Sequence, residues 1–69
     1  MDIGYKGYII VTGSERDDTS GRWNGRYRII DEKGVVVYES FAEPVDDQMK
    51  AEEAANVEAR AWIDRKAAA

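Results

Sequence analysis

The stretch that decides the fold runs from residue 22 to residue 30 and reads R-W-N-G-R-Y-R-I-I. Apolar and polar side chains alternate along it, with Trp23, Tyr27 and Ile29 on one side and Asn24, Arg26 and Arg28 on the other. A period of two is the pattern of a β-strand with one buried face. Gly25 falls on the apolar side, where a strand glycine indicates a bulge or the close approach of another backbone.

Two further strands are predicted on either side of this one. Residues 31–34 read D-E-K-G, a tight turn with glycine at the position that favours positive φ. The next strand, V-V-V-Y-E-S-F over residues 35–41, therefore pairs antiparallel with the strand at 22–30. Residues 5–12, Y-K-G-Y-I-I-V-T, are rich in β-branched and aromatic side chains and predict the first strand. The polar residues 13–21 between them predict a long hairpin loop.

A single helix is predicted over residues 46–66, where the composition is Ala, Glu, Gln, Lys, Arg and Met without Gly or Pro. Asp46 or Asp47 can cap its first turn. The chain is thus expected to be α+β, a three-stranded antiparallel meander packed on one C-terminal helix. Its expected core comprises Trp23, Tyr27, Ile29, Phe41, Ala51, Ala55, Ala59 and Trp62.

Length and composition narrow the possible functions. The 69 residues predict one domain, 1–69, near the lower size limit for independent folding. Because the chain has no cysteine and no histidine, disulfides, zinc sites and a base-activated nucleophile are all disfavoured. We therefore expect no catalytic residues, no metal and no cofactor, and hence no enzyme. The lack of cysteine and of a recognisable signal peptide favours a cytoplasmic protein, and no apolar run is long enough to span a membrane.

One helix covers only one face of a sheet, so the other face is the expected interaction surface. It is predicted to carry Asn24, Arg26, Arg28 and Ile30. The first strand is apolar on both sides, and alternation does not decide which side is buried. The leading hypothesis is a non-enzymatic protein-interaction module, either a homodimer or an adaptor for an unknown protein partner.

The alternative hypothesis is a weak nucleic-acid-binding domain that uses the arginines of the second strand. Charge disfavours it, because the net charge is −4 and all of it lies in residues 39–69. Cross-strand ion pairs between these arginines and neighbouring carboxylates are the simpler interpretation. In the loop, Glu15, Asp17 and Asp18 could supply oxygen ligands to a cation, but a solvated turn is the favoured interpretation.

The order of segments resembles a group of small uncharacterised proteobacterial proteins known only as domains of unknown function. The resemblance rests on the second-strand sequence G-R-W-N-G-R-Y-R-I, on the glycine turn, and on the helix end A-R-A-W-I-D at residues 59–64. It implies a βββα fold and a bacterial origin, and it brings no known site residues. A looser resemblance, of architecture alone, is to plant AP2-type domains and the arm-binding domains of phage integrases, whose sheets read DNA with Arg and Trp.

Overall fold

The structure is a computed structural model that describes residues 2–68, and it has an antiparallel sheet covered on one face by one helix. The elements are β1 (Asp2–Tyr5), β2 (Tyr8–Arg16), β3 (Trp23–Ile30), β4 (Val36–Phe41) and α1 (Gln48–Ala68). The strands lie side by side in the order β1-β2-β3-β4, which is a meander. The helix packs across the two central strands, β2 and β3. The α+β class with a C-terminal helix is confirmed, but the sheet has four strands and not three.

The error lies in the predicted first strand, residues 5–12, which contains a chain reversal. Lys6 and Gly7 both have positive φ, 50° and 86°, and Tyr5 pairs directly with Tyr8 across them. Positive φ at both central residues is the signature of a two-residue type I′ hairpin turn. Lysine is not one of the usual residues at the first of these positions, and the aromatic flanks favoured a continuous strand. The short edge strand β1 was therefore missed.

The predicted loop at residues 13–21 is also shorter than expected. Strand β2 continues through Gly13 to Arg16, and β3 starts at Trp23 opposite Arg16. The remaining turn is organised by Asp17, whose side chain accepts hydrogen bonds from the Thr19 amide (2.9 Å) and the Ser20 hydroxyl (3.1 Å). The polar composition of this segment reflects exposed strand positions as well as the turn.

The turn between β3 and β4 has the predicted form. The Asp31 carboxylate accepts hydrogen bonds from the amides of Lys33 and Val35, both at 2.9 Å. Gly34 has a φ of 82°, which a side chain would disfavour. Farther along, the pairing shifts by one residue where Ile30 faces Val36, so β4 contains a bulge near its start.

The helix begins after Asp47, whose carboxylate accepts hydrogen bonds from the amides of Met49 (2.7 Å) and Lys50 (3.4 Å). This is an N-cap, and of the two candidate caps it is Asp47 that serves. Behind it, Gly25 of β3 lies directly under the helix backbone. A Cβ atom at Gly25 would overlap the carbonyl oxygen of Ala51 and lie 3.2 Å from the Cβ of Ala55. The close backbone approach expected from this glycine is present.

The core lies between the helix and the two central strands. Of the residues expected there, Tyr27, Ile29, Ala51, Ala55 and Ala59 are buried, and so are Ile10 and Ile63, which complete the cluster. Trp62 is partly buried and packs against it. Trp23 is half-buried at the sheet end, where its backbone exchanges hydrogen bonds with Val45 (2.7 and 2.9 Å).

Phe41 was expected in the core, and this expectation is wrong. It pairs with Arg26 across the β3–β4 ladder, and directly paired residues share a sheet face. Because Arg26 points away from the helix, Phe41 does so too, and 56% of it is exposed. In the same way, Tyr38 pairs with the buried Ile29 and lies on the helix side.

Candidate interaction surface

The sheet face opposite the helix, here called the open face, is defined by the register of the four strands. Residues paired with Arg26, Arg28 and Ile30 share their side of the sheet. Strand β3 therefore presents all four residues of the expected interaction face here. The open face comprises Asp2, Gly4, Ile9, Val11, Gly13, Glu15, Asn24, Arg26, Arg28, Ile30, Val36, Glu39 and Phe41.

Two ion pairs cross the middle of the open face. Arg28 donates from Nε to Glu39 on β4 at 2.8 Å, and Arg26 donates from Nη1 to Glu15 on β2 at 2.8 Å. All four side chains are about half exposed, between 51% and 54%. Solvent-exposed ion pairs of this kind contribute only about 0.2–1 kcal/mol each to the stability of the fold. Their main consequence is electrostatic: the positive charge that each arginine presents on the open face is neutralised by the carboxylate beside it.

The guanidinium of Arg26 lies close to Gly13, its partner across the ladder. A Cβ atom at Gly13 would sit 3.6 Å from Nη2 of Arg26. Together with Val11, Arg28 and Glu39, these residues line a shallow depression in the middle of the open face. The depression holds about 110 Å³, which is well below the roughly 300–1,000 Å³ of small-molecule pockets.

An apolar row crosses the sheet beside these charges. It comprises Ile9, Ile30 and Val36, which are direct neighbours in adjacent strands. Ile9 is 45% exposed and Val36 is 46% exposed. Phe41 adds an exposed ring beyond Arg26. The charged pair of Arg28 and Glu39 lies between this ring and the row, and neighbouring aliphatic side chains such as those of the row are typical of contact surfaces.

The helix side of the sheet ends in an aromatic cluster formed by Tyr8, Tyr38 and Trp62. The Trp62 ring stacks on Tyr38 with centroids 5.2 Å apart and meets Tyr8 edge-on at 6.2 Å. The stack of Trp62 on Tyr38 joins the helix to β4. Nearby, burial raises the pKa of the Tyr27 hydroxyl above its ordinary value. The cluster has a structural role, because it closes the core at the C-terminal half of the helix.

A second polar contact ties the β1–β2 turn to the helix. The Asp64 carboxylate accepts hydrogen bonds from Lys6 Nζ (2.7 Å) and from the Tyr5 hydroxyl (2.9 Å). These bonds lower the pKa of Asp64, and the same hydrogen bond with Asp64 raises the pKa of Lys6. The contact fastens the edge strand β1, which otherwise pairs only with β2.

Two of the three loop carboxylates considered as cation ligands bind protein groups, and the third, Asp18, is exposed in the turn. Glu15 is the partner of Arg26, and Asp17 accepts the hydrogen bonds of its own turn, chiefly from the Thr19 amide, which lower its pKa. Within residues 2–68, no three acidic side chains come together as a group that could hold a metal ion. The described part of the chain also has no helix long and apolar enough to cross a membrane.

Comparisons with protein-family models, with curated proteins and with solved structures gave no match. The resemblance to small proteobacterial proteins therefore stays a prediction, as does the bacterial origin it implies. The open face has to be interpreted from its own chemistry.

Sequence reasoning missed most of the residues that give the open face its character. Ile9 lies in a strand that is apolar on both sides, so alternation did not reveal which residues face solvent. Val36 and Glu39 were not assigned to either side, and Phe41 was wrongly expected in the core, because the sequence of the third strand does not decide which of its sides faces the helix. The one available signal was Arg28, since an outward arginine in a central strand predicts a carboxylate on a neighbouring strand.

Proposed function

We propose that this chain is a non-enzymatic protein-interaction module that binds a protein surface through its open face. The observation that carries the proposal is the exposed apolar row of Ile9, Ile30 and Val36 beside matched ion pairs. Burial of apolar side chains favours association, at roughly 25 cal/mol per Å² removed from water. A monomer leaves this row in water.

The charges beside the row suit a protein partner. A buried charge is costly unless it is paired, and Arg26 and Arg28 already have carboxylate partners within the chain. A partner that covers them would not have to supply a counter-charge. The open face can therefore be covered by a partner with its ion pairs intact.

The absence of histidine and cysteine from the chain supports the non-enzymatic part of the proposal. The lack of cysteine also suits the reducing conditions of the cytoplasm, where we place the module.

A nucleic-acid-binding function has less support. Of the three arginines in the predicted strand 22–30, Arg26 and Arg28 are neutralised by Glu15 and Glu39, and Arg22 donates a hydrogen bond to the carbonyl of Pro44. The chain as a whole is acidic. Titration of short single-stranded and duplex DNA and RNA at low salt tests this alternative. We expect no saturable binding, and binding that Arg26→Ala with Arg28→Ala abolishes would establish the alternative instead.

Site-specific photo-crosslinking in the native cells tests the proposed function. A photoreactive amino acid is placed at position 9 or 11 on the open face, and at position 57 on the outer side of the helix as the control. Val57 is 61% exposed, so it is at least as accessible as Ile9. We expect discrete protein adducts from positions 9 and 11 only.

The adduct must then be reproduced with the purified partner. The affinity for this partner must fall when a charge is introduced into the apolar row. Ile9→Lys should reduce the affinity about tenfold or more, because it places an unpaired ammonium in the apolar row. If positions 9 and 11 give no more adduct than position 57, the open face is not a protein-binding surface.

A further inference from the structure

Strand β4 forms one edge of the sheet and, beyond the bulge near its start, lacks the features that usually protect an edge. Its exposed side chains include Val36, Val37, Tyr38 and Phe41, with exposures from 38% to 56%. It contains no proline, and its single charged residue, Glu39, is held by Arg28. Protected edges are short, charged, bulged, interrupted by proline or covered by another element, and beyond its bulge β4 pairs regularly from Tyr38 to Phe41.

The opposite edge provides the contrast. Strand β1 has only four residues, which include Gly4 and the charged Asp2, and it is followed by Lys6. Its end is held against the helix by the Lys6–Asp64 contact. Only β4 combines length, apolar side chains and an uncovered edge, since the helix packs on β2 and β3.

The backbone of β4 shows what such an edge can bind. The amide of Ala42 donates to the carbonyl of Gly25 at 2.8 Å, so the polar groups of residue 42 point toward β3. Because backbone groups alternate in direction along a regular strand, those of Glu39 and Phe41 point away from the sheet. Another β-strand can supply hydrogen-bond partners to a row of unpaired N–H and C=O groups of this kind.

We propose that the occupant is β4 of a second copy, paired antiparallel about a two-fold axis to form a continuous eight-stranded sheet. A two-fold axis makes each strand complementary to itself, and it closes the assembly because only the β4 edges are used. An axis at Glu39 would set two carboxylates opposite each other. An axis at Tyr38 or at Ser40 avoids this and sets Glu39 opposite Val37 or Phe41 of the partner strand.

This surface is the edge of the sheet and not its open face, so the inference goes beyond the proposed function and is tested separately. In the dimer the two open faces would join side by side, which doubles the surface available to a partner. The two helices would remain on the same side of the sheet, each over its own central strands.

Sedimentation equilibrium on the full chain tests the dimer, with a matched pair of substitutions at one position. Glu39→Ala and Glu39→Pro both remove the carboxylate, but only proline removes the outward N–H and blocks strand addition. Neither removes a backbone hydrogen bond from the monomer, because that N–H points to solvent. We expect a concentration-dependent dimer for the wild type and for Glu39→Ala, and at least about a thirtyfold higher Kd for Glu39→Pro.

If Glu39→Pro does not fold, as judged by near-ultraviolet circular dichroism, Phe41→Pro with Phe41→Ala takes its place. Disulfide trapping gives an independent measurement, because the chain has no cysteine of its own. A cysteine at the axis faces its symmetry mate, so either Tyr38→Cys or Ser40→Cys should form covalent dimers rapidly. Thr19→Cys, in the exposed turn, is the control.

A wild type that stays monomeric at millimolar concentration, or cysteines at 38 and 40 that oxidise no faster than at 19, would overturn the inference. So would a dimer that Glu39→Pro leaves intact. None of these results bears on adducts at positions 9 and 11, so failure of the edge pairing is distinguishable from failure of the proposed function.

Discussion

Replacing Gly25 with alanine should destabilise the domain more than any other single methyl addition in the sheet. A methyl group at this position would overlap the carbonyl oxygen of Ala51 and would lie 2.9 Å from its carbonyl carbon. Non-bonded carbon atoms pack at about 3.5–4.0 Å. The obstructing atoms belong to the helix backbone, so no side-chain rotation relieves the overlap. The helix would have to move away from β3.

The expected cost is about 3 kcal/mol, the upper end of what overpacking usually costs. Lifting the helix also loosens its contacts with Tyr27 and Ile29 in the buried cluster. The free energy of unfolding of a domain of this size is only about 3–5 kcal/mol in total. The melting temperature should therefore fall by roughly 12–24 °C, at about 4–8 °C per kcal/mol.

Urea unfolding followed by tryptophan fluorescence measures the difference, and Gly13→Ala is the matched control. Both substitutions reduce the flexibility of the unfolded chain equally. At Gly13 the added methyl meets only Arg26 Nη2 at 3.6 Å, an ordinary contact. The control should thus stay within about 0.5 kcal/mol of the wild type. If Gly25→Ala unfolds at the same urea concentration as Gly13→Ala, the helix does not approach β3 as closely as described.

Three further substitutions test other parts of the fold. Trp62→Ala should lower the free energy of unfolding in urea by about 3 kcal/mol, because it removes the ring between Tyr8 and Tyr38. A decrease below about 1 kcal/mol would show that this aromatic cluster does not close the core. Asp47→Ala should lower the free energy of unfolding by about 1 kcal/mol because it removes the helix N-cap, whereas the neighbouring Asp46→Ala should leave it nearly unchanged. Equal effects of the two substitutions would contradict the assignment of the cap. The lowered pKa of Asp64 means that its contact with Lys6 stabilises the fold above the ordinary carboxyl pKa, and that this contribution is lost as the pH falls through the lowered value. Thermal melts between about pH 6 and pH 2 should accordingly show a smaller acid-induced loss of stability for Asp64→Asn than for the wild type, and parallel curves would refute the role of this contact.

The parts of the fold that depend on local pattern were predictable. The alternation in 22–30 indicated which residues of β3 face the helix, and Gly25 indicated a bulge or a close backbone approach, of which the structure shows the close approach. The alanine stripe of the helix, its acidic N-cap and the turn at 31–34 follow from short-range preferences in the same way. Each of these features involves residues within a few positions of one another.

The errors share a different cause. The Lys6–Gly7 turn was missed because a strand-like composition surrounds an unusual turn residue, and the fourth strand was missed with it. The side on which Phe41 lies depends on its pairing with Arg26 in another strand, and no pattern within 35–41 contains that information.

The amino-acid sequence by itself thus determined the class of the fold, the order of most elements, and the inward and outward sides of the central strand β3. Only the tertiary structure decided that Arg26 and Arg28 are paired, that Ile9 and Val36 form an exposed row with Ile30, and that β4 is an unprotected edge. The physical reason is that alternation along one strand is set by backbone geometry, whereas the neighbours of a residue across the sheet are set by register. Register depends on turns and bulges many residues away, and the open face exists only once all of them are in place.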